Sequence, residues 1–184
     1  MKKKSRYYIL LGILALIAGI NVFFYYIGPE ETVSIIGIEN TYIVVFLIAA
    51  IGGLSAFTGV ALFTSLAAFA AGGADPLLLA LSGGVGIFIS DSIFYFLALY
   101  GRRSIPQKWG RVLDRVEKLI EKYPSKVVLA GIYLYISFTP LPNDLLMVAL
   151  VVAGYSYRKI VWVLLAGSLT IALLTAYLGT TIFS

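Results

Sequence analysis

Residues 127–157 read VVLAGIYLYISFTPLPNDLLMVALVVAGYSY, a run of 31 residues with no basic side chain. As one straight helix this run would measure roughly 46 Å, against a hydrocarbon core of about 30 Å. Two full crossings would need about 40 residues. The run is therefore too long for one span and too short for two. Its middle is broken at Thr139-Pro140-Leu141-Pro142-Asn143-Asp144. Two prolines in three residues cannot continue a helix, because each removes a donor and crowds the preceding turn. The run predicts a helical hairpin that enters a membrane and returns to the side it came from.

The same arithmetic recurs upstream. Residues 41–71 are again 31 in number, with breakers at Gly52-Gly53, Ser55, Thr58 and Gly59. Each broken run is followed by an apolar segment of spanning length, residues 77–100 and 160–183. Residues 7–27 form a further segment of about the ~20 residues that a span needs. They lack the short apolar run and small-x-small site of a signal peptide, so an uncleaved anchor over 1–27 is expected.

Composition agrees with a life in lipid. Of 184 residues, 60 % are hydrophobic and 12 % charged, with a mean hydropathy of +0.96. A soluble domain carries about 25 % charged residues, so a soluble enzyme is excluded. The chain has no cysteine and no histidine, which removes disulfides, thiol nucleophiles and nearly every zinc, haem or copper site. No cofactor is expected.

Charge position orients the segments. Basic residues cluster at Lys2, Lys3, Lys4 and Arg6, over 101–126, and at Arg158-Lys159, while Glu30, Glu31 and Glu39 form an acidic stretch over 28–40, expected to be an external loop. If 41–71 crossed once, the eight basic residues of 101–126 would fall outside, against the positive-inside bias. A re-entrant hairpin keeps every basic cluster cytoplasmic. Paired full crossings in each run would do the same, so hairpin depth stays open. Nucleic acid is a poor partner for these clusters, since each borders a long apolar segment. Within 108–123 the apolar positions share one helical face, which suits either an anionic membrane surface or a solvated linker helix.

The expected fold is thus a single all-α integral membrane domain, multi-pass in the cell membrane, with a cytoplasmic N-terminus and an external C-terminus. It comprises an anchor (1–27), hairpin plus span (41–100), a basic cytoplasmic segment (101–126), and hairpin plus span again (127–183). The two units enter from opposite faces, an inverted repeat with its tips near the midplane. Broken backbone at that depth is tolerated where it is shielded from lipid or lines a wet cavity, which implies transport. An inert anchor or scaffold with glycine-rich packing is the plainer reading.

Only Asp91 and Asp144 lie deep in apolar segments. An isolated charge at that depth costs at least about 2.5–3.5 kcal/mol on insertion scales, so each is a functional candidate, with at least partial protonation expected. Either could instead be a neutral carboxyl clasping a neighbouring helix. A half-helix opening at Thr139, Pro140, Pro142 and Asn143, with Thr139 as its N-cap, would aim free N–H groups at the midplane, suited to phosphate or carboxylate. Ser55 and Thr58 offer the same in the first hairpin, and Arg158 stands at the cytoplasmic exit of the second. The alternative is that these groups merely satisfy backbone at a kink.

The stretch GGVGIFISDSIFYFLALYGRR (83–103) resembles the glycine-rich, Asp-containing helix of the DedA proteins, within the VTT superfamily of membrane lipid transporters. Pro140-Leu141-Pro142-Asn143-Asp144 is similar to that family's Pro-x-Pro-acid element, and Ala153-Gly154-Tyr155 with Trp162 to its second-hairpin exit. In many members the Pro-x-Pro-acid element sits in the first hairpin, and arginines flank the second-hairpin proline. Here 41–71 hold neither proline nor acid, and Ser137 and Asn143 stand three residues either side of Pro140. The resemblance covers roughly residues 40–180. It implies flippase- or scramblase-like movement, often proton-linked in that family, of a phosphate-bearing lipid, polyprenyl phosphate or glycerophospholipid.

Enzyme readings fit less well. An intramembrane aspartyl protease would show Gly-x-Gly-Asp, but Asp91 follows Phe88-Ile89-Ser90, and a serine protease of the rhomboid kind needs histidine. The alternatives kept open are a small-solute or ion transporter on the same scaffold, then a membrane scaffold. Glycines at 83–86 can pack within the chain or between copies, so a homo-oligomer also stays open.

Overall fold

A computed structural model of the chain describes residues 29–52, 58–101, 118, 122–139 and 143–182. The anchor, Ser55, Pro140, Pro142 and most of the basic segment lie outside the described residues. Those that are described form seven helices and no strands: α1 Pro29–Ile36, α2 Ile38–Gly52, α3 Thr58–Ala71, α4 Pro76–Gly101, α5 Ser125–Phe138, α6 Asn143–Val152 and α7 Tyr157–Ile182. Two of them, over Pro76–Tyr100 and Tyr157–Thr181, are long and apolar enough to cross a membrane. The other four large helices are not: at 10 to 15 residues they extend about 15–22 Å. Within both 31-residue runs the described residues thus form pairs of short helices, ending at Gly52 and Phe138 and resuming at Thr58 and Asn143.

The acidic stretch is not a loop. Glu31 belongs to α1 and Glu39 to the first turn of α2, with only Gly37 between the two helices. Val33, 3 % exposed, ties α1 into the core, which offsets the polarity of its glutamates. The spans also begin earlier than the hydropathy pattern predicts. Arg158 and Lys159 fall inside the first turn of α7, their side chains exposed.

α4 and α7 pack against each other along the centre and carry everything else. α2 lies on α4, and α5 lies on α7. The return arms cross over, α3 packing on α7 and α6 on α4. Two core clusters result. One joins the first hairpin to the start of α4 and the end of α7, through Val45, Leu66, Phe69, Leu79 and Ala176. The other joins the second hairpin to the end of α4 and the start of α7, through Tyr95, Ile136, Met147, Leu150 and Leu164. In lipid, such faces gain little from water exclusion and depend on close van der Waals fit. Glycines supply that fit: a Cβ on Gly86 would sit 2.8 Å from the Phe46 carbonyl oxygen in α2, and one on Gly167 would sit 2.9 Å from Ile136 Cβ in α5.

Landmarks of the first half recur 81 residues on. Both return arms end in a glycine with positive φ (73 and 154), whose following residue donates its N–H five residues back, Ala74 to Phe69 and Tyr155 to Leu150. The spans start at 76 and 157, end at 101 and 182, and carry their close-packing glycines at 86 and 167. Asp75, whose carboxylate accepts the N–H groups of Leu77 and Leu78 to cap α4, falls on Ser156.

Candidate functional site

α6 opens at Asn143, immediately after the second proline, and lies against the later half of α4. That placement brings the Asn143 side-chain amide to Asp91, which accepts from Nδ2 at 3.0 Å. Asp91 is 3 % exposed, on the face of α4 turned inward. Asp144, partly buried in the first turn of α6, supplies a second carboxyl directly after Asn143. Among the described residues no basic side chain pairs with either carboxyl.

Thr139 does not cap α6. It ends α5, with both its N–H and its hydroxyl donating to the Tyr135 carbonyl oxygen. Its backbone is extended (φ −117°, ψ 129°), the conformation that a residue before proline adopts, so the incoming helix claims it. Thr58 is the first residue of α3. Arg158 is exposed on α7 and is not drawn to the carboxyls.

Four side chains complete the site without having been singled out from the sequence. Ser92, next to Asp91, donates to the Phe88 carbonyl oxygen and pairs with the Tyr157 hydroxyl at 2.7 Å. Tyr95 donates to the Tyr155 carbonyl oxygen at 2.6 Å, fixing the turn between α6 and α7. The rings of Tyr95, Phe96 and Tyr157 stack within 4.9–5.6 Å of one another. Their positions one, four and five residues after Asp91 place Ser92, Tyr95 and Phe96 within about a turn and a half of it, the one signal the sequence offered.

Chemically, the site offers two carboxyls, an amide, hydroxyls and the N-terminal turn of α6. Such a set can bind and release protons and can present a partial positive charge to an anion. No family model, no curated protein and no solved structure matches the chain, so its functional reading rests on these residues and on the fold that assembles them.

Proposed function

We propose that this chain moves a phosphate-bearing lipid, a glycerophospholipid or a polyprenyl phosphate, between membrane leaflets, as its DedA-like motifs imply. The observation that carries the reading is Asp91: a buried carboxyl in a helix of spanning length, held by the first residue of a short helix that starts after a proline break. In this reading the halves form an inverted repeat, supported by the 81-residue register and by helix pairings that survive exchange of the halves. The protein is multi-pass in the cell membrane, with 101–126 cytoplasmic and the C-terminus external, and it returns its substrate unchanged rather than acting as an enzyme.

Electrostatics links loading to protons. Two unit charges 4 Å apart repel by about 4 kcal/mol at an effective dielectric constant near 20, while a helix N-terminus supplies only about half a charge. A phosphate near two ionised carboxylates is therefore repelled, and protonation of one carboxyl permits its approach.

The Asn143–Asp91 hydrogen bond also favours one other reading, a structural clasp in a membrane scaffold. Movement of headgroup-labelled fluorescent phospholipid across liposomes containing only the full chain separates them. Lipid movement supports transport, solute flux without lipid movement supports a small-solute carrier, and neither leaves the scaffold.

A further inference from the structure

The 81-residue register sets a second site opposite the first. Asn143 and Asp144 of α6 correspond to Leu62 and Phe63 of α3, and Asp91 of α4 corresponds to Ala172 of α7. Every one of these counterparts is apolar. Leu62 and Ala172 are buried together in the first core cluster. Phe63 lines an open cavity of about 470 Å³, walled by Ser137 and Phe138 at the end of α5 and by Ile171, Leu174 and Thr175 of α7. Where α6 and α4 bring together two carboxyls and an amide, α3 and α7 with the end of α5 enclose a mostly apolar recess, with Ser137 and Thr175 its polar residues.

Its size falls within the ~300–1,000 Å³ of small-ligand sites. It holds no charged group, and the Thr175 hydroxyl is already donated to the Ile171 carbonyl oxygen. At its rim Phe138 and Leu178 are 59 % and 56 % exposed, on the end of a hairpin arm and on a helix of spanning length. In a bilayer, what bathes such a rim is lipid chain.

We infer that this recess holds one acyl chain of a glycerophospholipid. The inference rests on the membrane placement proposed above, but not on the transport step. Acyl chains surround a spanning helix at bulk concentration, so occupancy needs no tight binding, whereas water in the recess would wet apolar walls at a cost. The second hairpin joins the two sites: Phe138 walls the recess and Asn143, just past the proline break, holds Asp91. Chain and headgroup thus have separate places on either side of one break.

The test is residue-resolved photolabelling of the full chain in phosphatidylcholine–phosphatidylglycerol vesicles, with a phosphatidylglycerol carrying a diazirine at the end of one acyl chain. Adducts on Phe63, Phe138, Leu174 and Leu178 should exceed several-fold those on Leu97 and Leu134, which are 56 % and 55 % exposed outside the recess. Filling the recess with Thr175→Trp should suppress the first set and spare the second. Recess labelling equal to that of Leu97 and Leu134 overturns the inference, and weaker labelling also does, by giving the recess to another part of the chain, with residues 7–27 the first to examine. Lipid movement is read on the same vesicles. Recess labelling without movement keeps the site and removes transport, and movement without it does the reverse.

Discussion

Asp91 and Asn143 are worth most as a pair. Replacing Asn143 by Leu leaves a buried carboxyl without its donor, a loss of about 1–3 kcal/mol, visible as a lower melting temperature in detergent. Replacing both, Asp91→Leu with Asn143→Leu, removes the orphan and should restore stability while abolishing transport. If transport survives the double change, the pair is only a clasp. Asp144→Asn should keep lipid binding and lose the dependence of flux on pH. Coincident pH profiles for wild type and variant would deny Asp144 a coupling role. Glycines divide just as sharply. A Cβ on Gly179 would lie 2.6 Å from Ala67 Cα and also strike the Ala67 carbonyl oxygen, whereas one on Gly131 meets nothing within 4 Å. Gly179→Ala should cost about 1–3 kcal/mol by overpacking, and Gly131→Ala should gain up to about 1 kcal/mol of helix propensity, both read by thermal unfolding. The carboxyls were legible in the sequence because a charge in an apolar run is conspicuous. Ser92, Tyr95 and Tyr157 were not, since a hydroxyl can satisfy itself within its own helix and only tertiary packing shows which one reaches across.

Helix ends obey chemistry that the sequence shows unevenly. The ends of α2 at Gly52 and of α5 at Thr139 were legible, because a glycine pair or a Pro-x-Pro element stops the helix that precedes it. The role of Thr139 was not, because a threonine before proline serves either as an N-cap or as the end of the helix behind it. The acidic stretch misled for a different reason: α1 is eight residues long, too short to show a period, and is held by the burial of Val33. The proline break should matter beyond its hydrophobicity. Pro140→Ala with Pro142→Ala allows α5 to run on into α6 and withdraws Asn143 from Asp91, so lipid flux should fall to background. Unaltered flux would make the break a packing kink.

For the molecule as a whole, the orientation proposed from the charge pattern is one that labelling can check. The chain has no native cysteine, so single cysteines report cleanly. Glu39→Cys should react with an impermeant thiol reagent in intact cells and Ser125→Cys should not, both native positions being exposed. Labelling at Ser125 from outside would overturn the re-entrant topology. Segment lengths alone announced a repeat, 31 residues then 24, twice. Which arm packs on which span was hidden, because exchange of partners between halves leaves no mark on composition or periodicity.

That exchange has a consequence for how the protein is made. α6 finds α4 already synthesised, so the second hairpin has a platform as it emerges from the ribosome. The first hairpin does not: α3 packs on α7, the last helix among the described residues. In the membrane placement proposed above, until residues 157–182 have been translated and inserted, one face of α3 lacks the helix it packs on, and the first hairpin waits half-partnered. Membrane quality control should therefore act late on this chain, and nascent forms arrested before α7 should be degraded faster than forms arrested just after it.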